Sequence, residues 1–462
     1  MSKNSKIISS IFLIFSLVIF LYVFYKSEIF HNGNEFNYYI KYYIFSLVLI
    51  ILSLISFFFE KEIKFKISVI LISTVLSLYI VEIVLLIIKN YEDNLIYNYN
   101  LKRNPDYDFR NYYEAYVDFK EQDERFVTPV LPKHFIFRND INIYPLAGIP
   151  NKPVVGCNEN GFFANYHNDR YGFKNIDSEW DKKIIDYVFI GDSSTHGDCV
   201  YEADTISGKL RSFQNINGVI NLAQGGNDPL IEYATLIEYL PKKKVKNVLM
   251  FYHEWNDIIG LNDSLAHPIL KKYFYEKNFS QNLRGINQTE LLQLKLDAMN
   301  IKLKRGAKNQ KEIDWQRANK KIYERQELLK TIRNTVVMTR LRTILIEGDR
   351  FEKIIDPKFL ELEEILRNIK TFLEIRDIKF YFVYVTDARR YLKENNTDDF
   401  RYYGEVKNII KKLNIDFIDL NVEIFDNNNN PFELFSFGKY GGHNNAKGYK
   451  KIAEIIYEKT TK

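Results

Sequence analysis

Residues 187–200, YVFIGDSSTHGDCV, decide how the rest of the chain is read. A β-branched and aromatic run ends abruptly in Gly191-Asp192-Ser193, with His196 and Cys199 close behind. That pattern predicts a buried strand running into a sharp polar turn. Ser193 is then either an ordinary turn residue or a nucleophile held at a strand end. The choice depends on what stands at the ends of the other strands.

Four more runs of the same kind follow: NGVINLA (217–223), KNVLMFYH (246–253), KFYFVYV (379–385) and IDFIDL (415–420). Helical patterns occupy 203–213, 229–240, 357–375 and 400–413, and an amphipathic helix over 445–459 closes the chain. Strands alternating with helices of this length predict an α/β fold, a doubly wound parallel sheet spanning 181–462. A charged helical stretch at about 264–348 interrupts the alternation after the third strand and reads as an insertion. Upstream, 91–180 reads as a linker and accessory segment packing on that domain. It is Tyr- and Asn-rich at first, then holds short strands and turns such as CNENGFFANYHNDRYGFKN (157–175).

Residues 7–25, 42–59 and 67–88 are nearly uncharged, and each is about as long as a helix crossing the hydrocarbon core. Three transmembrane helices within 1–90 follow. A cleaved signal peptide fits the first run poorly, because no small-residue cleavage site follows Tyr25 and two more spans come after it. Lys3 and Lys6 precede the first span, and Lys61, Lys64 and Lys66 lie between the second and third. The positive-inside rule then predicts a multi-pass protein of the cytoplasmic membrane with its C-terminal domain extracytoplasmic. Glu82, inside the third span near its outer end, reads as facing headgroups or another helix.

The net charge of +5 conceals a basic segment: 295–342 holds 14 Lys and Arg against 5 Asp and Glu. It reads as a solvated helical face, with anionic headgroups or an anionic polymer as the functional alternative. Nothing points to nucleic acid. The chain has only two cysteines, Cys157 and Cys199, both in the predicted exported part. They are either a disulfide or two unrelated thiols, and spacing alone does not decide.

In an open parallel sheet, active groups collect at the carboxyl ends of strands. The second strand runs into NLAQGGNDP, with Gly225 and Gly226 paired, and the third into FYHEWNDI, with Asn256. GKYGGHNNAKGY, with His443, precedes the last helix. Ser193, Gly226, Asn256 and His443 are together the parts of an acyl-transfer site: a nucleophile, oxyanion donors and a general base. No HExxH, paired CxxC, phosphate loop or dinucleotide fingerprint occurs, so neither metal nor cofactor is implied.

The order GDS, N-x-A-x-x-G, N-D and a late H-x-N-x-x-G before a helix resembles the SGNH (GDSL-type) hydrolase family over about 180–460, the insertion excepted. NDRYGFKN upstream and GHNNAKGYKKIAEII at the end resemble membrane-anchored members linked with bacterial surface polysaccharide. The resemblance implies Ser193 as nucleophile and His443 as base. Its oxyanion donors are the Ser193 N–H, the Gly226 N–H and the Asn256 amide. It implies an ester substrate, such as an O-acetylated carbohydrate, and for transfer a membrane partner that delivers the acyl group. Two departures stand out. EWND puts Trp255 where the family pattern EGND has Gly, and Tyr440 stands where D-x-x-H requires Asp. The imidazole is then oriented by a backbone carbonyl or by a remote acid, with Glu433 and Asp387 as candidates. The missing acid leaves a non-catalytic polymer-binding or assembly protein as the competing reading. Asp192 reads as a turn cap, His196 as a local cap or surface group, and His253 as structural.

Overall fold

The computed structural model describes residues 3–30, 36–108, 110–300, 331–332, 334–342, 357–392 and 400–461. It divides into two compact units, Met1–Lys89 with Leu328–Glu347, and Asn90–Glu327 with Gly348–Lys462.

Three apolar helices come first: α1 Lys3–Phe24, α2 Phe36–Ser56 and α3 Lys61–Arg103. They supply three runs long and apolar enough to cross a membrane, Lys6–Ile29, Tyr39–Ser56 and Lys61–Lys89. α1 and α2 meet through small residues, with Ser16 Oγ and Ser53 Oγ buried and 2.8 Å apart. Close backbone approach of this kind holds helices together where lipid removes any hydrophobic drive between them. α3 outruns its apolar stretch. No Gly or Pro interrupts it, and it stops just before Asn104-Pro105, where the proline disfavours helix in the preceding residue. The Tyr- and Asn-rich stretch read as linker is therefore helical as far as Arg103.

The second unit is an α/β domain. A small antiparallel pair, β1 Pro153–Val155 and β2 Asn165–His167, precedes the main sheet. The main strands are β3 Ile184–Ile190, β4 Val219–Asn221, β5 Lys244–His253, β6 Lys379–Val385 and β7 Asp416–Asp419. All are parallel, in the order β4-β3-β5-β6-β7. Side chains alternate across the sheet with period two. Val248, Met250 and Tyr252 of β5 and Phe382 and Tyr384 of β6 face one core; Leu249, Phe251, Tyr381 and Val383 face the other.

Helix Phe359–Glu374 covers the first face with Leu362, Ile365, Leu366, Ile369 and Leu373, a single stripe at helical spacing. Helix Ala446–Thr461 covers the second with Tyr449, Ile452, Ala453 and Ile456. Each large aliphatic side chain so buried contributes about 2 kcal/mol. Burial on both faces is why the strands read as continuous apolar runs rather than alternating ones.

Phe135, Tyr144, Leu146, Phe173 and Trp180, upstream of the sheet, are buried in the first core. So are Leu270, Leu283, Leu292 and Leu296, at the start of the stretch read as an insertion. Those residues cover the sheet; the charged stretch 301–330 lies outside the described residues. The strand order reverses between β3 and β5, because the chain steps outward to β4 and then returns past β3. A crevice opens at the carboxyl ends of strands at such a reversal. Ser193 follows β3 there, and Asn256 follows β5.

Candidate active site

The turn that carries Ser193 is built from short-range contacts. Asp192 caps the helical turn Ser193–His196 by accepting from the Ser194 N–H at 2.9 Å, the turn-capping role expected of it. Gly191 is required by a close approach. A Cβ there would lie 2.2 Å from Thr195 Oγ1, so any side chain would push the turn off the end of β3.

His443 Nε2 lies 2.9 Å from Ser193 Oγ, although 250 residues separate the two in the chain. The other ring nitrogen, Nδ1, is 3.0 Å from Glu159 Oε1, and the His443 backbone N–H donates to Glu159 Oε2 at 2.8 Å. One carboxylate therefore fixes both the ring and the backbone of the histidine. An ionised carboxylate only accepts, so Nδ1 carries the proton, and Nε2 of a neutral ring is left to accept from the serine hydroxyl. The His443 carbonyl takes bonds from Ser436 N and Oγ, both at 2.9 Å, which holds the loop from its other side.

Glu159 fills the place that the sequence leaves empty at Tyr440, and neither sequence candidate does. Glu433 pairs with Lys447 at 2.9 Å on the surface. Asp387 caps the turn Ala388–Tyr391 and pairs with Arg389 at 2.7 Å. Gly442 leaves room for the Glu159 carboxylate. It sits at φ +82°, and a Cβ there would come within 2.9 Å of Glu159 Oε2.

A disulfide holds Glu159 in range. Cys157, two residues before it, is bonded to Cys199, six residues after Ser193. Asn160 Nδ2 adds a bond to the Cys199 carbonyl at 3.0 Å, and the Gly161 N–H donates to Asn158 Oδ1. Cys199 Sγ lies 4.0 Å from His443 Nδ1, but it is spent in the bridge and offers no thiolate to a metal. Denatured, unreduced protein should take up no thiol-alkylating reagent, and should take it up at both cysteines once reduced. Alkylation before reduction would refute the bridge. Its loss should cost about 2–4 kcal/mol of stability.

The oxyanion candidates lie on the same rim in different states. Asn256 Nδ2 donates to Asp192 Oδ2 at 3.1 Å, which ties the end of β5 to the Ser193 turn and leaves a second amide hydrogen to give. Gly226 lies in the turn after β4, at φ +75°. The Gln224 N–H donates to the Gly191 carbonyl at 3.3 Å, which sets this turn beside the end of β3.

Burial alone would lower the basicity of His443. The charge and hydrogen bond of Glu159, with Asp198 and Asp192 behind it, override that and raise its pKa to about 9. A second histidine–carboxylate pair lies beneath the turn, His196 Nδ1 to Asp198 Oδ1 at 2.6 Å. Burial would raise Asp198, but the imidazoles of His196 and His443 and the ammonium of Lys174 hold it at about 2. His196 itself is buried against Tyr166, so it is neither an end cap nor a surface group. The His253 N–H donates to Asp257 Oδ2, and its ring accepts from the Trp255 N–H, a structural role as expected.

Glu254 and Arg390 form a buried pair at 2.6 Å, with burial lifting Glu254 to about 7. Trp255, the residue that departs from the family pattern, stacks near Phe400 under the Arg389 guanidinium, 3.2 Å from its ring centroid. A polar cavity of about 260 Å³ opens beside Glu159, lined also by Arg103, Asn104, Tyr107, Asn160 and Ser436. A larger groove of about 1090 Å³, at Lys242–Lys244 and Ile378, lies at the opposite, amino ends of the strands, away from this chemistry.

No protein-family model matches the sequence, and no curated protein matches it. Among solved structures, protein YxiM of Bacillus subtilis aligns over 60% of this chain at 10% identity, with a TM-score of 0.31. The chain spans only 56% of YxiM's length. A Desulfitobacterium hafniense protein assigned to the G-D-S-L lipolytic family aligns over 60% of this chain and 99% of its own, at 15% identity and a TM-score of 0.27. Both scores are too low to transfer a family, an activity or a residue role to this chain.

Proposed function

We propose that this chain is a membrane-tethered serine esterase or O-acyltransferase of the SGNH type, with its catalytic domain outside the cytoplasmic membrane. Its substrate is an ester, an O-acetyl group on a surface polysaccharide. The observation that carries the reading is the continuous relay from Ser193 Oγ to His443 Nε2 at 2.9 Å and from His443 Nδ1 to Glu159 at 3.0 Å. It stands at the sheet's order reversal, where such crevices form.

Ser193 Oγ attacks the ester carbonyl as its proton passes to His443 Nε2. Glu159 keeps the imidazolium oriented and balances its charge. The Ser193 and Gly226 N–H groups and the free Asn256 amide hydrogen receive the developing oxyanion. His443 then returns its proton to the departing alcohol, which leaves an acyl-serine. Water resolves this in hydrolysis, and a sugar hydroxyl does so in transfer, with a separate membrane protein supplying the acyl group. The competing non-catalytic reading rested on the missing acid, and Glu159 removes that support.

A charged, membrane-impermeant fluorophosphonate tests chemistry and topology together. It should label intact spheroplasts on the peptide containing Ser193, and labelling should vanish in Ser193→Ala. Absence of label in both intact and detergent-solubilised wild type would end the enzyme reading. Label that appears only after solubilisation would end the extracytoplasmic placement.

A further inference from the structure

Two features of the sequence find no use in the catalytic reading, the carboxylate of Glu82 within the third span and the basic insertion. The structure joins them inside one unit. The Glu82 side chain is fully buried. Its Oε1 accepts from the Arg340 N–H at 3.2 Å and from Arg340 Nη1 at 3.1 Å, and its Oε2 accepts from the Leu341 N–H at 2.8 Å. Three residues earlier on α3, Tyr79 OH donates to the Val336 carbonyl at 2.9 Å. The described residues 334–342, from what reads as an extracytoplasmic insertion, therefore lie along the third membrane helix. Glu82 thus faces another helix, the short Thr339–Arg342, and Arg340 is paired with it rather than set on a solvated face.

Depth follows from the helix. At 1.5 Å per residue, Glu82 lies about 10 Å inside the Lys89 end of a span crossing roughly 30 Å of hydrocarbon. A carboxylate at that depth needs a partner, and backbone N–H groups beside it need acceptors, because no water is there to serve either. Glu82 meets both needs with one side chain. The outward residues fit the same setting. Ile332, Val336 and Val337 are 47%, 59% and 39% exposed, as apolar and as open as Ile80 and Ile83 of α3.

We propose that the described residues 331–332 and 334–342 belong to a membrane-embedded element that re-enters the leaflet at the Lys89 end of α3. Glu82 anchors it through Arg340 and two backbone N–H groups, and its Ile332–Val336–Val337 surface meets lipid acyl chains. The insertion thus returns to the bilayer and adds a fourth intramembrane piece to the three spans. This holds whether or not the serine site is catalytic.

The test uses the full chain in phospholipid nanodiscs, unreduced so that Cys157–Cys199 stays closed, with a nitroxide on Val336→Cys. Tyr275→Cys, at a 69% exposed position of the α/β domain, is the aqueous control. The Val336 label should collide with dissolved oxygen in preference to a water-soluble nickel chelate, and the control should show the reverse. Nickel access at Val336 equal to the control overturns the proposal, and so does poor access to both reagents, which would mean burial in protein. Glu82→Gln should raise nickel access at Val336 roughly tenfold. Unchanged access in Glu82→Gln, or in Arg340→Ala if the first variant does not accumulate, overturns the anchoring role.

Discussion

Replacing Ser193 by Ala should lower turnover of an activated acetyl ester by about 10⁵–10⁶ while leaving the fold intact. The side chain is small and half-buried, and the turn that carries it is capped by Asp192 rather than by the serine hydroxyl. His443→Ala should cost nearly as much, and the double variant little more than either alone. A nucleophile and its base act as one unit, so once the first is gone the second has nothing to activate. Residual catalysis of roughly 10³–10⁴ over water should persist from the oxyanion donors and binding. Losses that multiply in the double variant would show that Ser193 and His443 do not work on the same proton. Retention of substantial activity in Ser193→Ala would return the residue to the status of a turn serine.

Replacing Glu159 by Gln should lower turnover by roughly 10³–10⁴, and the pH profile should identify the cause. His443 is lifted to about 9 chiefly against its own burial, by Glu159. A base works in its neutral form, so wild-type kcat/KM should climb with pH and level off only above about 9. Without the carboxylate's charge the imidazole falls back toward its ordinary value of about 6.5, or lower where burial dominates, and the rising limb moves to more acidic pH. Activity falls while its pH limb shifts downward, a combination that simple loosening of the loop does not produce. The same pair has a consequence for stability. Because the folded pKa is raised, its contribution is fully present below about 6.5 and is lost as pH rises through about 9. A Glu159→Gln profile whose limb stays where the wild type has it would remove Glu159 from the relay.

Much of this architecture is legible in the chain by itself. The three long apolar helices follow from apolar length, and the sheet follows from short apolar runs alternating with amphipathic helices. Both are local properties, set by what a dozen or two neighbouring residues can bury. Ser193 and His443 are legible for a related reason. Each follows or precedes a regular element, and the parallel topology directs such ends to one rim. The Asp192 cap is local as well.

The partners of those residues are not local. Glu159 comes from an Asn- and Gly-rich turn 284 residues from His443, and no periodicity marks it. The signals for it are indirect: Gly442, whose missing side chain leaves it room, and Cys157, which becomes informative only once it is known to pair with Cys199. Arg340 lies 258 residues from Glu82, in a stretch whose composition suits solvent as well as membrane. Sequence alone therefore determined the long apolar helices, the strands and which residues could react. Tertiary structure decided which charges meet, because a carboxylate at close range is placed by how distant segments pack, and that packing leaves no repeating pattern in the chain.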